Sequence, residues 1–197
     1  MAVSLWEVAL DELPARVDEV MLSPDERMRV ARFARRDQAR RWTASHVALR
    51  AVLGRRLNET PTAVRLEPGR HGKPRLVGRD GPYFSLSHAG SLALIAVVDD
   101  REVGVDVEHA DRDRSTIARV LSAAEQRLPE SERVRIWCRK EALGKAMGIG
   151  LGPAPERLDT TSPGDYTLTD LTVGAGYVAA LAVAGAEPRV LQRRFTF

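Results

Sequence analysis

The sequence predicts an α+β fold built from two similar halves, and three observations carry that expectation. Short β-rich runs alternate with longer stretches of helical periodicity, with no all-helical or all-strand block. The 197 residues, 44% hydrophobic and 29% charged, suffice for one large core or two small ones and are too apolar for disorder. The chain also echoes itself. LSPDER at 22–27 returns as LSAAEQR at 121–127, an offset of 99 that also sets Glu7 on Asp106, and GSLALIAVV at 90–98 returns as GYVAALAVAG at 176–185. Each half then runs strand, helices, hairpin strands, and two halves packed face to face leave a cleft between them. The expected division is 1–100 and 101–197 within one compact unit, 1–197.

The elements follow in order. SLWEVA (4–9) reads as a short strand. From Ser23 to Leu57 the pattern is helical: Ser23 can cap, Pro24 suits the first turn, and Asp25 and Glu26 suit its positive end. Apolar Met28, Ala31, Phe33, Trp42, Val47, Leu49 and Val52 break the period once, which predicts two helices. Strands are expected at 62–67, 83–87, 92–98 and 103–108, a helical stretch near 115–127, then the helix of WCRKEALGKAMGIGL (137–151). Strands near 166–173 and 177–184 complete the order, with loops at the Pro/Gly clusters 148–155 and 162–164.

One cysteine, Cys138, excludes an intramolecular disulfide and a Cys-based zinc site, which fits a cytoplasmic protein. No segment approaches the roughly 20 apolar residues of a membrane span, and the N-terminal stretch carries acids where a signal peptide would be apolar. Of 30 Lys and Arg residues only Lys73, Lys140 and Lys145 are lysines. Two of the three stand five residues apart in one glycine-bearing helix.

Several groups there and elsewhere can carry chemistry. In GVDVEH, Asp106 and Glu108 lie two apart on a strand, so their carboxylates share a face about 7 Å apart at the backbone, while Val103, Val105 and Val107 face the core. Such a pair is either the solvated side of a strand or a divalent metal site. Trp137, Glu141 and Lys145 recur at i, i+4 and i+8 and form one stripe, with Trp137 expected to anchor it in the core. Glu141 and Lys145 are either a surface ion pair or part of a site. Gly144 costs about 1 kcal/mol relative to Ala in mid-helix, which points to close approach of a ligand or another backbone. FSLSHAG (84–90) brings Ser85, Ser87 and His88 together beside a glycine, a set suited to phosphate. RHGKPRL (70–76) is a basic turn around Lys73 and Pro74. Arg29, Arg32, Arg36 and Arg40 recur at helical spacing, with Arg35 and Arg41 beside them, as a solvated face or a cationic rim.

In combination these segments resemble the 4'-phosphopantetheinyl transferases. GVDVE (104–108) and W-x-x-K-E-A-x-x-K-A-x-G-x-G-L (137–151) look like the two signature motifs of that superfamily. FSLSH is similar to its F-N-x-S-H segment, with Ser85 replacing the usual Asn, and HGKPRL to its Gly-Lys-Pro turn. LSPDERMRVARF and the arginine-rich helix after it resemble the N-terminal half of surfactin-type (Sfp-type) members. The likeness runs from about residue 4 to 151. It implies a single-chain pseudo-dimer of two α+β halves with the active site in the cleft between them.

The implied reaction moves the 4'-phosphopantetheine arm of coenzyme A onto a serine of an acidic apo carrier protein, releasing adenosine 3',5'-bisphosphate. The resemblance assigns Asp106, Glu108 and Glu141 to magnesium. It assigns Lys145 and His88 to coenzyme A phosphates, Lys73 and Pro74 to the adenine, and Ser87 with Arg41 and Arg36 to the 3'-phosphate. Glu125, Glu141 or a metal-bound water would accept the serine proton, with the two carboxylates favoured. Lys140 matches the motif without a derived role. A monomer without nucleic-acid or membrane partners is expected, serving fatty-acid, polyketide or nonribosomal peptide carriers; the basic balance, pI near 9.4, suits an acidic partner. Two other readings compete: a magnesium-dependent nuclease or phosphohydrolase, and a noncatalytic basic module binding nucleic acid through residues 27–41.

Overall fold

The computed structural model describes residues 2–12 and 19–196. Its strands are β1 (Ala2–Ala9), β2 (Leu66–Pro68), β3 (Pro74–Leu76), β4 (Tyr83–Ala89), β5 (Leu92–Val98), β6 (Val103–His109), β7 (Tyr166–Leu171), β8 (Tyr177–Ala184) and β9 (Arg189–Arg194). Its α-helices are α1 (Pro24–Val30), α2 (Arg36–Leu57) and α3 (Arg133–Met147). The expected helix near 115–127 is instead a pair of 3-10 turns, Ile117–Val120 and Glu125–Arg127. The expected strand at 62–67 is the short β2.

Ser23 starts α1 as anticipated. Its hydroxyl accepts from Glu26 N at 3.2 Å while the Glu26 carboxylate accepts from Ser23 N at 2.7 Å, so two orphan amides are satisfied reciprocally. The helix stops at Val30, and α2 starts only at Arg36. The expected arginine stripe is therefore cut: Arg29 rides on α1, and Arg36 and Arg40 on α2.

Alternation along the strands sorts the molecule into layers. One sheet has the order β4-β5-β1-β9, the other β6-β8-β7. In β5, Ala93, Ile95 and Val97 pack with Ala44, Ala48, Leu49 and Leu53 of α2. Leu92, Leu94, Ala96 and Val98 point the other way, onto Val103, Val105 and Val107 of β6 and Ala179, Leu181 and Val183 of β8. The remaining face of β8, with Ala180 and Ala182, packs against Cys138, Ala142 and Ala146 of α3. The layers run helix, sheet, sheet, helix. Each fully buried Leu or Ile in them contributes on the order of 1.5–3 kcal/mol.

The valines of β6 face the core as the sequence implied, but the opposite face is not solvated. It lies beneath α3, so Asp106 is only 4% exposed. The echo-based match of Glu7 to Asp106 also fails on orientation. Glu7 shares the face of Val3 and Leu5 toward the second sheet, where its carboxylate meets Gln192 of β9. Asp106 faces α3. A slip of one residue turns every side chain over, and short sequence matches do not detect it. Strand β9, unmarked by any sequence pattern, returns to pair in parallel with β1.

Candidate active site

Gly104 sets the distance between β6 and α3. A methyl group there would lie 1.9 Å from Ala142 O and 2.5 Å from Ala146 N, so no side chain fits. With Ala142, Ala146, Ala180 and Ala182 also small, the helix settles directly on the strand. That contact delivers Glu141 and Lys145 to Asp106. Gly144 answers to backbone rather than ligand, since its absent methyl group would meet Gly150 O at 2.4 Å.

Lys145 is the hub. Its Nζ donates to Asp106 Oδ1 at 2.7 Å, to Ser87 Oγ at 2.9 Å and to Val105 O at 3.1 Å. Ser87 Oγ in turn donates to Asp106 Oδ1 at 2.8 Å and accepts from Val107 N at 3.4 Å. Ser85 Oγ accepts from Val105 N at 3.1 Å, so β4 is stitched to β6 through its serines. The two hydroxyls expected to meet phosphate thus face the neighbouring strand, and both residues are buried.

Glu108 accepts from Trp137 Nε1 at 3.1 Å and from Arg112, whose guanidinium lies 4.3 Å from the centre of the Trp137 ring. Trp137 is half-buried and hydrogen-bonds an acid, so it is not the pure core anchor the stripe suggested. Burial first, then the negative charge of Asp106, pushes the carboxyls of Glu108 and Glu141 above the usual glutamate range. Arg112 and Lys145 offset this only in part. Cys138 is buried beside the same acids, and burial pushes its thiol up, leaving it inert.

The other expected groups have surroundings of their own. Lys73 Nζ donates to Glu102 Oε2 at 2.7 Å and to Val103 O at 3.0 Å at the base of β6. Its turn opens on a cavity of about 580 Å³ lined by Lys73, Pro74, Tyr83, Glu102, Met147 and Ile149. His88 is exposed at the end of β4. Loss of water around its ring, ahead of the charges of His46, Lys145 and Arg29, holds its pKa below the usual histidine value. Arg41 makes a two-pronged pair with Asp11 at 3.0 and 2.7 Å, and Arg36 is exposed.

Glu125 does not join the site. It is fully buried, accepting from Ser122 N at 2.7 Å, from Thr160 N and Oγ1 at 2.8 Å each, and pairing with Lys140 at 2.8 Å. A carboxylate so enclosed cannot reach a substrate hydroxyl, which corrects its expected role as a base. Two further residues escaped the sequence reading. Arg112 lies beyond β6, where strand periodicity says nothing. His46, stacked 3.7 Å from Trp42 and bonded to Glu26 at 3.2 Å, looked like one more residue of a helix.

Comparison with known proteins gives the family of the chain. A family model described as 4'-phosphopantetheinyl transferase, N-terminal, matches residues 5–100, and one described as 4'-phosphopantetheinyl transferase superfamily matches residues 102–182. The 4'-phosphopantetheinyl transferase HetI of Nostoc sp. is 33% identical over 93% of this chain and 88% of its own length. The chain belongs to the 4'-phosphopantetheinyl transferase superfamily. Within that superfamily the 4'-phosphopantetheinyl transferase Sfp of Bacillus subtilis is 25% identical over 66% of this chain. The L-aminoadipate-semialdehyde dehydrogenase-phosphopantetheinyl transferase of Homo sapiens is 25% identical over 84% of it. The chain spans 62% and 60% of the lengths of those two relatives. No described helix is long and apolar enough to cross a membrane.

The superfamily implies a divalent cation, and the donor set fits one. Asp106 Oδ2 is buried with no hydrogen-bond partner among the described residues, and two further carboxyls beside it are raised by burial and mutual repulsion. Hard oxygen donors of this kind suit magnesium. Among the described residues no three His, Cys, Asp or Glu side chains are already gathered as a cage. Lys145 and Arg112 stand on Asp106 and Glu108 instead.

Proposed function

We propose that this chain transfers the 4'-phosphopantetheine arm of coenzyme A to a serine hydroxyl of an apo carrier protein, releasing adenosine 3',5'-bisphosphate. The observation that carries the reading is the buried Asp106 Oδ2, without a hydrogen-bond partner among the described residues, beside Lys145 in a chain of this superfamily. Asp106, Glu108 and Glu141 would hold magnesium. When bound, that ion supplies positive charge for the oxygens of the pyrophosphate. The serine oxygen forms the new bond to the phosphorus carrying pantetheine as the bond to the departing nucleotide phosphate breaks.

The chain's own groups do the positioning. Lys145 neutralises phosphate charge as it develops and is oriented for this by Ser87 and Val105 O. Glu141, one helical turn from Lys145 on α3, is the group we assign to accept the serine proton. His88, Arg41 and Arg36 meet the coenzyme A phosphates, and the Lys73–Pro74 turn meets the adenine across the cavity it lines. Ser87 acts through Lys145 and Asp106.

Two halves, 1–100 and 101–197, form an intramolecular pseudo-dimer in this reading. Its support is the strand orders β4-β5-β1 and β7-β8-β6, which correspond element for element, with β9 added to the first sheet. A monomer in a reducing cytoplasm fits the single cysteine. The test is incubation with an apo carrier, coenzyme A and magnesium, read by intact mass of the carrier. A gain of one phosphopantetheine group is expected, and no gain across several carriers overturns the proposal.

A further inference from the structure

The two lysines of α3 do different work, and Lys140 is left unexplained by the reaction. Its side chain is fully buried, with Nζ 2.8 Å from Glu125 Oε2 and 3.1 Å from Pro155 O, and it also donates to Leu158 O. Glu125 is satisfied on every side by Ser122, Thr160 and this ammonium. Burying such a pair costs several kcal/mol of desolvation, and apolar residues of similar volume often serve stability as well or better. A pair kept at that depth has a geometric use.

The helix it sits in needs one. On the face toward β6 and β8, α3 offers Ala142 and Ala146 to Gly104, Ala180 and Ala182, and the bonds of Trp137 to Glu108 and of Lys145 to Asp106 that cross this contact end on the acid cluster itself. The other side is pinned by the two-pronged pair of Arg139 with Asp170, about a third exposed. Lys140 supplies the buried pin, from the side of the helix turned about 100° from its neighbour Glu141. A rotation of the helix that frees Lys140 also shifts Glu141 relative to Asp106 and Glu108, because the two are neighbours on α3. We propose that Lys140 is a positioning residue, whose contacts with Glu125 and with the carbonyls of Pro155 and Leu158 fix the place of Glu141 in the acid cluster. This rests on the reading of that cluster as a divalent-cation site.

Arg50 of α2 provides the control. It is buried against Glu26 and bonds Pro61 O and Val64 O in the loop after its helix, with no acid cluster beside it. The experiment titrates Mn2+ without coenzyme A, reading free ion by electron paramagnetic resonance, in Lys140→Met, Lys140→Arg and Arg50→Met. Lys140→Met is expected to weaken Mn2+ by about tenfold or more, as loss of a ligand-orienting partner does. Its kcat for carrier modification should fall while KM for coenzyme A stays within about threefold. Lys140→Arg keeps the cation and should recover most of the affinity, and Arg50→Met should lower the melting temperature with Mn2+ affinity unchanged. A folded Lys140→Met that binds Mn2+ like the parent overturns the proposal, as does an equal loss in Arg50→Met. If Lys140→Met does not fold, Thr160→Val, which removes one donor to Glu125, takes its place: weaker Mn2+ supports the role and unchanged Mn2+ overturns it. A parent that binds Mn2+ but modifies no carrier sinks the proposed function alone. A parent that binds no Mn2+ removes the metal site and this role together.

Discussion

In α2, Arg50 lies buried against Glu26 and against the carbonyls of Pro61 and Val64; in α3, Lys140 lies buried against Glu125 and the carbonyls of Pro155 and Leu158. Both acids belong to Ser-x-x-Glu turns that satisfy their own amides reciprocally, Ser23 with Glu26 and Ser122 with Glu125. Four residues beyond each cation stands a glycine, Gly54 or Gly144, whose missing methyl group admits a backbone oxygen of the following loop. The residue after each cation marks the divergence. After Arg50 comes Ala51, packed in an apolar layer with Val8 and Phe195, while after Lys140 comes Glu141. Five residues after each cation, Arg55 lies 5.3 Å from the Phe195 ring centre, whereas Lys145 meets Asp106. Similar scaffolds thus carry an apolar seam in one place and an acid cluster in the other.

Breaking the difference should cost most. Asp106→Asn is expected to lower carrier modification by about 10²–10³-fold, the scale of losing one preorganised electrostatic group. The fold should persist, since the amide keeps the shape; near-parental activity in folded protein would remove Asp106 from the site. The lock of α2 can be probed by pH. Burial pushes Glu26 up, but hydrogen bonds from His46 and Ser23 and the charge of Arg50 hold its pKa down at about 2 against 4.5 for the free carboxyl. Its stabilising contribution is therefore complete above about pH 4.5 and lost as pH falls toward about 2, a total of about 3 kcal/mol. Denaturant titrations of Glu26→Gln should show that deficit at pH 7 and a gap from the parent that closes in acid. A constant gap would show that the charge is not what Arg50 and His46 hold.

The smallest effect separates the paired glycines. Gly54→Ala and Gly144→Ala should each destabilise by about 1–3 kcal/mol, because both methyl groups collide with backbone. Only Gly144→Ala should also reduce turnover per folded molecule, since it displaces the turn next to Lys145. Equal turnover in both would mean that the loop after α3 does not shape the site.

Much of this was legible in the chain. Continuous apolar runs gave β5 and β8 to the residue, and the spacing of GVDVE and of the Glu141–Lys145 stripe picked out the faces of β6 and α3 on which Asp106 and Lys145 meet. Ser23 and Glu26 announced the start of α1 because a capping box is local. What escaped was nonlocal. Glu125 read as a base because its LSAAE context is the same whether it faces a substrate or a lysine fifteen residues on. Trp137 read as core because a helical stripe does not disclose that Glu108 and Arg112 arrive from β6 and the turn after it.

The sequence by itself determined most of the strands and the three α-helices, the capping box of α1 and the small residues that permit close packing, because each follows from periodicity, local hydrogen bonding or backbone sterics. Only the tertiary structure decided which face of β6 lies under α3, that Lys145 rather than Lys140 meets Asp106, and that β9 returns to β1. Those outcomes depend on register and on loop closure between distant segments, where a one-residue shift exchanges a buried face for its opposite.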